Sequence, residues 1–199
     1  MVESVITDWR TPITLTGKFV RLEPMSETHV PGLTAAGAGN MEIWKHMLYG
    51  DIQTETDMLG WVHDILARPD LPFVVIRLET GRVVGATRYL NIMPEHRGLE
   101  IGGTWYGAEF QRTAVNTECK YLLLGYAFET LGCIRVQLKT DSRNERSQRA
   151  IERIGAKREG VLRNHMILPD GRYRDSVYYS VIDREWPDVK ARLEEKLNQ

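Results

Sequence analysis

The sequence predicts a mixed α/β domain built around one largely antiparallel sheet. Three observations carry that reading. The apolar spacing switches repeatedly between the alternation of strands and the 3.6-residue period of helices. Two pairs of candidate strands are separated only by short turn sequences, Thr80-Gly81 and Pro169-Asp170-Gly171, which favour antiparallel hairpins. And 199 residues, 42% hydrophobic and 27% charged, are enough for one core. No internal repeat, low-complexity tract or linker interrupts the chain, so residues 1–199 read as a single domain, with 1–17 as an N-terminal arm.

FVRLEP (19–24) opens the sheet. Its alternation begins at Phe19 or Val20, and Pro24 ends it. Ser26 is placed to cap a short helix over 27–36, which GAGN (37–40) breaks. MEIWKHMLYG (41–50) is aromatic and reads as a mobile segment. Thr54 and Asp57 resemble a capping box for a helix through Ala67. Met58, Trp61, Ile65 and Leu66 share its apolar face, and Pro69 and Pro72 stop it.

PFVVIRLE (72–79) and RVVGATRYLNI (82–92) form the first hairpin. RGLEIGGTWYG (97–107) reads as the third strand of this group, with Gly102-Gly103 marking a bulge or a close backbone approach. A helix over 115–130 presents Cys119, Leu122, Leu123, Tyr126 and Ala127, and Gly132 terminates it. CIRVQLKT (133–140) alternates, with Ile134, Val136 and Leu138 on one face. Asn144 starts a helix carrying Ala150, Ile151 and Ile154, which Gly155 ends. Strands at about 157–168 and 173–182 form the second hairpin. A last helix carries Trp186, Val189, Leu193 and Leu197.

Several function classes are disfavoured at this point. Twenty-six Lys and Arg against 27 Asp and Glu give a net charge of −1, so no broad basic surface for nucleic acid is expected. No 18-residue apolar run is present, and the N-terminus lacks a basic start followed by an apolar stretch. Cys119 and Cys133 make no disulfide framework, and no Cys/His set has zinc spacing. The expectation is a reduced, cytoplasmic protein with no metal, no membrane partner and no nucleic-acid partner.

Two segments carry chemistry. The first is QRTAVNTE (111–118), where a strand runs directly into a helix. A helix N-terminus offers free N–H groups and the positive end of its dipole, which suit a pyrophosphate. Gln111 and Arg112 add side-chain donors, while Thr113 or Asn116 caps the helix. The second is TDSRNERSQRAIERIGA (140–156). Asn144 and Ser147 share a helix face. They read either as an N-cap and its N3 partner, or as an amide for a ligand arm beside a hydroxyl for a leaving group.

Together, in this order, the two segments resemble the GNAT acetyltransferase superfamily, and within it the RimJ/RimL branch of ribosomal-protein N-terminal acetyltransferases and their small-molecule relatives. The likeness runs from FVRLEP to EWPDVKARLEEKL. In the family's acyl-CoA loop, Q/R-x-x-G-x-G/A, Gln111 matches, Ala114 stands at the first glycine and Asn116 at the last position. Thr117-Glu118 matches the pair that often follows. Asn144, Ser147 and Gly155 match the second motif, and LEIGG (99–103) resembles the branch's central strand. The resemblance implies acetyl-CoA as co-substrate, held by Gln111, Arg112, Thr113, Ala114, Val115, Asn116 and Thr117, with Asn144 on the pantetheine arm. Ile151 stands where many members carry a proton-donating tyrosine, so the resemblance moves that role to Ser147.

Glu100, on the central strand, is the candidate general base; the alternative is a structural carboxylate paired with Arg97. His96 is the rival base. Trp44, His46 and Tyr49 border the acceptor cleft in this family or pack in the core. Arg143, Arg146, Arg149 and Arg153 lie near the CoA 3′-phosphate or in solvent. Both cysteines read as core residues. Tyr178 and Tyr179, taken as exposed, point to a homodimer. The function expected is acetyl transfer to a primary amine, a peptide or protein N-terminus before a small molecule. The alternative is a CoA-sensing module without catalysis.

Overall fold

The computed structural model describes residues 8–199. Eight strands form one sheet: β1 (Leu15–Thr16), β2 (Val20–Pro24), β3 (Leu71–Arg77), β4 (Val83–Met93), β5 (Gly98–Tyr106), β6 (Arg135–Asp141), β7 (Lys157–Ile167) and β8 (Tyr173–Ile182). Their order is β1-β2-β3-β4-β5-β6-β8-β7, because the last hairpin inserts β8 beside β6. All neighbours are antiparallel except β5 and β6.

Among the described residues, six α-helices cover the sheet: α1 (Val30–Gly37), α2 (Met41–Trp44), α3 (Glu55–Leu66), α4 (Ala114–Gly125), α5 (Glu145–Arg153) and α6 (Trp186–Leu197). β3 is buried on both faces and separates two cores. Phe73 and Val75 face the core with Val115, Cys119 and Leu123 of α4 and Trp186, Val189 and Leu193 of α6. Val74 and Ile76 face Leu33, Met58, Trp61, Val62 and Ile65 of α1 and α3. Strands buried on both faces read as continuous apolar runs, as LPFVVIR does.

Most element boundaries fall where the sequence puts them. Thr54 N-caps α3 and forms a capping box with Asp57, and both turn sequences close hairpins. Several expectations need correction. The arm contributes β1, paired to β2; residues 1–7 lie outside the described residues. The 41–50 segment is anchored by a short helix with Ile43 and Trp44 buried. Trp44 packs against Trp61 and Trp105 at 5.9 and 5.1 Å and donates Nε1–H to Gly37 O. The expected helix over 115–130 is α4 followed by a π-helical turn over Tyr126–Thr130. Leu66 is 41% exposed rather than core-facing, and Ile134 precedes β6 and is 43% exposed.

One acidic residue locks the N-terminal strands to α4. Glu118 is 3% exposed, and its carboxylate accepts the backbone N–H groups of Lys18, Phe19 and Val20, each at 2.7 Å. Gly17 leaves it room, because a Cβ there would lie 2.4 Å from Glu118 Cδ.

Candidate active site

The site forms where β5 and β6 part. They pair in parallel only over Gly98–Glu100 and Arg135–Gln137, although both strands continue. Beyond Glu100, β5 bulges: Ala86 pairs with Trp105 and Arg88 with Gly102, so Thr87 faces two residues. Gly103 holds φ +58. A Cβ at Gly103 would lie 2.8 Å from Arg88 Nε, so both the backbone angle and the packing favour glycine. The opening continues into a cleft of about 790 Å³.

One end of the cleft is made by helix starts. Thr113 caps α4 by accepting from Val115 N. Asn144 caps α5, its Oδ1 accepting Ser147 N at 3.0 Å. The structural reading of that pair is therefore realised, while both residues also line the cleft. Gln111 donates Nε2–H to Tyr106 O and accepts from Arg146. Its amide thus clasps the two motif segments together. Gln111, Arg112, Asn116, Arg146, Arg149 and Arg153 line the same end. Val115 is fully buried and Thr117 is 7% exposed, so their side chains belong to the packing under the loop.

Lys120, 5% exposed, also reaches the cleft and donates to Thr104 Oγ1 at 2.8 Å. Burial pulls its pKa down to about 8. Sequence reasoning missed it, because a helix lysine among polar neighbours gives no signal of burial.

The other end is a network of buried charge. Glu100, 1% exposed, receives three donors on Oε2: Asn91 Nδ2 at 3.0 Å, Gln137 Nε2 at 2.8 Å and Lys139 Nζ at 3.1 Å. Asn91 reaches it from a positive φ in a second bulge of β4. Oε1 remains beside Gly102, where a Cβ would lie 3.1 Å away. Arg97 is not its partner: Arg97 donates to Gly132 O, because its left-handed φ of 48° turns it away from the strand. His96 is exposed in the turn before β5.

His46 Nδ1 lies 3.4 Å from Asp141 Oδ2, and His46 and Tyr49 line the cleft while Trp44 does not. Arg174, 7% exposed, donates to Ser176 Oγ and His46 O. Tyr178 and Tyr179 do not present an exposed aromatic surface. Tyr179 is fully buried and Tyr178 half-buried beside His165, since β8 is an interior strand. Cys119 and Cys133 are buried, and desolvation pushes both thiols up to about 12, which removes them as nucleophiles.

Residues 20–157 match the family model described as Acetyltransferase (GNAT) domain. The chain belongs to the GNAT acetyltransferase family. A solved GNAT-like chain from T. thermophilus, provisionally described as an acetyltransferase, is 41% identical and superposes with a TM-score of 0.88 over 95% of this chain and 99% of that one. YdaF of Bacillus subtilis (strain 168), provisionally named a ribosomal N-acetyltransferase, is 35% identical over 113 residues, 57% of this chain and 61% of that protein. Mycobacterium smegmatis RimJ in complex with CoA-disulfide shares the fold, with a TM-score of 0.79 and 20% identity over 94% of this chain and 95% of that one. This GNAT chain is thus of the N-acetyltransferase kind, with RimJ/RimL-like relatives. Among the described residues no helix is long and apolar enough to cross a membrane.

Proposed function

We propose that this protein moves the acetyl group of acetyl-CoA to a primary amine, with a peptide or protein N-terminus as the acceptor. The observation that carries the reading is the parting of β5 from β6 beside two capped helix starts, with a buried carboxylate oxygen left at the bulge. Backbone exposed along Gly102–Thr104 suits the amides of pantetheine, which extend a strand edge. The first-turn N–H groups of α4 suit the pyrophosphate. Arg112, Arg146, Arg149 and Arg153 add positive charge at the same end.

Chemistry then follows from position. The neutral amine attacks the thioester carbonyl carbon, the C–S bond breaks and the thiolate leaves. Glu100 Oε1 takes the amine's proton, directly or through a water, and Ser147 Oγ gives one to the sulfur. Ile151 in place of a tyrosine leaves Ser147 as the hydroxyl for that role. The name of YdaF supports a ribosomal-protein type of acceptor.

The test is thiol release from acetyl-CoA with a panel of N-terminal peptides and small amines. Amine-dependent CoA release, greatest with peptides, is the expected result. Tight CoA binding with no release on any amine would make the protein a CoA-binding module instead.

A further inference from the structure

We propose that Arg88 selects the acceptor by holding a carboxylate placed a few bonds from the reacting amine. This deepens the acetylation reading and rests on it. Arg88 pairs with Gly102 across the sheet and Leu90 with Glu100. Cross-strand partners share a face, so Arg88 and Glu100 lie on the same face, opposite the buried Tyr89–Ile101 pair. Two residues along a strand span about 6.6 Å. An amine at Glu100 Oε1 therefore lies within reach of an acidic group on the same small acceptor.

The donors of Arg88 are largely unspent. The residue is 8% exposed and lines the cleft. Its Nη2 donates to Tyr49 Oη. Nε and Nη1 have no hydrogen-bond partner among the described residues. Asp70 Oδ2 lies 3.2 Å from Nη1, yet off the N–H directions, so that contact is electrostatic alone. A buried guanidinium with idle N–H groups is costly unless something polar meets them. The other acids of this end are engaged: Glu100 by three donors, and Asp141 by Arg143 N and His46. Gly103, with no side chain, leaves the Nε edge open toward the bulge. A planar guanidinium suits a carboxylate better than any neutral group.

Two sources supply such a carboxylate: the α-carboxylate of a free amino acid, or an acidic side chain at a peptide N-terminus. Free aspartate and glutamate against their α-amides test the first. Peptides beginning Asp or Glu against Asn or Gln test the second. Each pair is measured by thiol release for kcat and KM, and by calorimetric binding in the presence of CoA.

The acidic member is expected to win by about 10- to 100-fold in one of the two comparisons, chiefly through KM. Arg88→Gln should erase that preference while neutral acceptors keep their rates. Asp70→Asn removes the competing carboxylate and should strengthen the preference several-fold. A purely structural Arg88–Asp70 pair moves neither ratio, and both variants then only lower the melting temperature. Equal use and equal binding of acidic and neutral acceptors by the wild type would overturn the proposal, as would an unchanged preference in a folded Asp70→Asn protein. Selective binding of the acidic ligand without CoA release would keep this inference and remove the acetylation reading.

Discussion

The two ends of the cleft are built by different means. The end lined by Gln111, Asn116, Asn144 and Ser147 consists of helix starts, caps and backbone, with exposed arginines around it. The opposite end consists of side chains brought together from distant strands: Glu100 with Asn91, Gln137 and Lys139, Arg88 with Tyr49 and Asp70, Arg174 with His46. Local geometry suffices for a ligand whose phosphates and amides repeat common shapes. A selective acceptor site needs buried polar groups, and these are costly when left unmatched.

The largest effect expected from this contrast is at Glu100. Glu100→Gln keeps the shape but removes the base, and kcat should fall by about 10²- to 10⁴-fold. Activity should recover as pH rises above about 8, where an α-amine deprotonates itself. The pH–rate profile beside the melting temperature checks this; a stable mutant with the wild-type profile passes the role to solvent.

Next in size is Glu118, behind the cofactor end. Glu118→Ala strands three backbone N–H groups, and at about 1–3 kcal/mol each the loss is several kcal/mol of stability. Denaturant unfolding measures it, while kcat per folded molecule should stay near wild type. A large loss of rate without loss of stability would place Glu118 in the chemistry and blur the distinction between the ends.

Ser147→Ala should cost only about 10- to 100-fold in kcat, because a thiolate leaves readily. Its backbone N–H keeps the Asn144 cap. A rate equal to wild type would reduce Ser147 to a helix-start residue, and a loss matching Glu100→Gln would erase the contrast.

The smallest signal is a pH slope. The folded pKa of Lys120, about 8, lies below the unfolded value of about 10.4. Between these values the unfolded chain binds more protons, so this group's contribution to stability rises with pH; below about 8 its cost is fully present. Lys120→Met should flatten that rise in chemical denaturation between about pH 7.5 and 10. An unchanged slope would mean that the ammonium is solvated.

The same contrast explains what could be read in advance. Thr54, Asn144 and Gly155 act within a few residues of themselves, so helix starts and stops were legible. The Gly102-Gly103 bulge was legible too, since few other reasons put two glycines inside a strand. Glu100 was found, but its partners were not: Asn91, Gln137 and Lys139 come from two other stretches of chain. Nothing local marks Arg88 or Lys120 as buried. Tyr178 and Tyr179 misled because a chain-terminal strand was taken as a sheet edge, whereas the last hairpin inserts β8 inward and leaves β7 at the edge. Ile134 obeys the alternation yet precedes the strand, so periodicity alone overran the boundary.

The Glu118 anchor also imposes an order on synthesis. Lys18, Phe19 and Val20 lie about 100 residues before the carboxylate that fixes them. At about 5–20 residues per second, roughly 5–20 s pass between translation of Val20 and of Glu118. Through that interval the emerging β2 has neither β3 beside it at first nor its anchor until late. Its loose N–H groups are then open to chaperones and to neighbouring nascent chains. A codon-level slowdown between residues 20 and 118 would lengthen that exposure without changing a single atom of the finished enzyme.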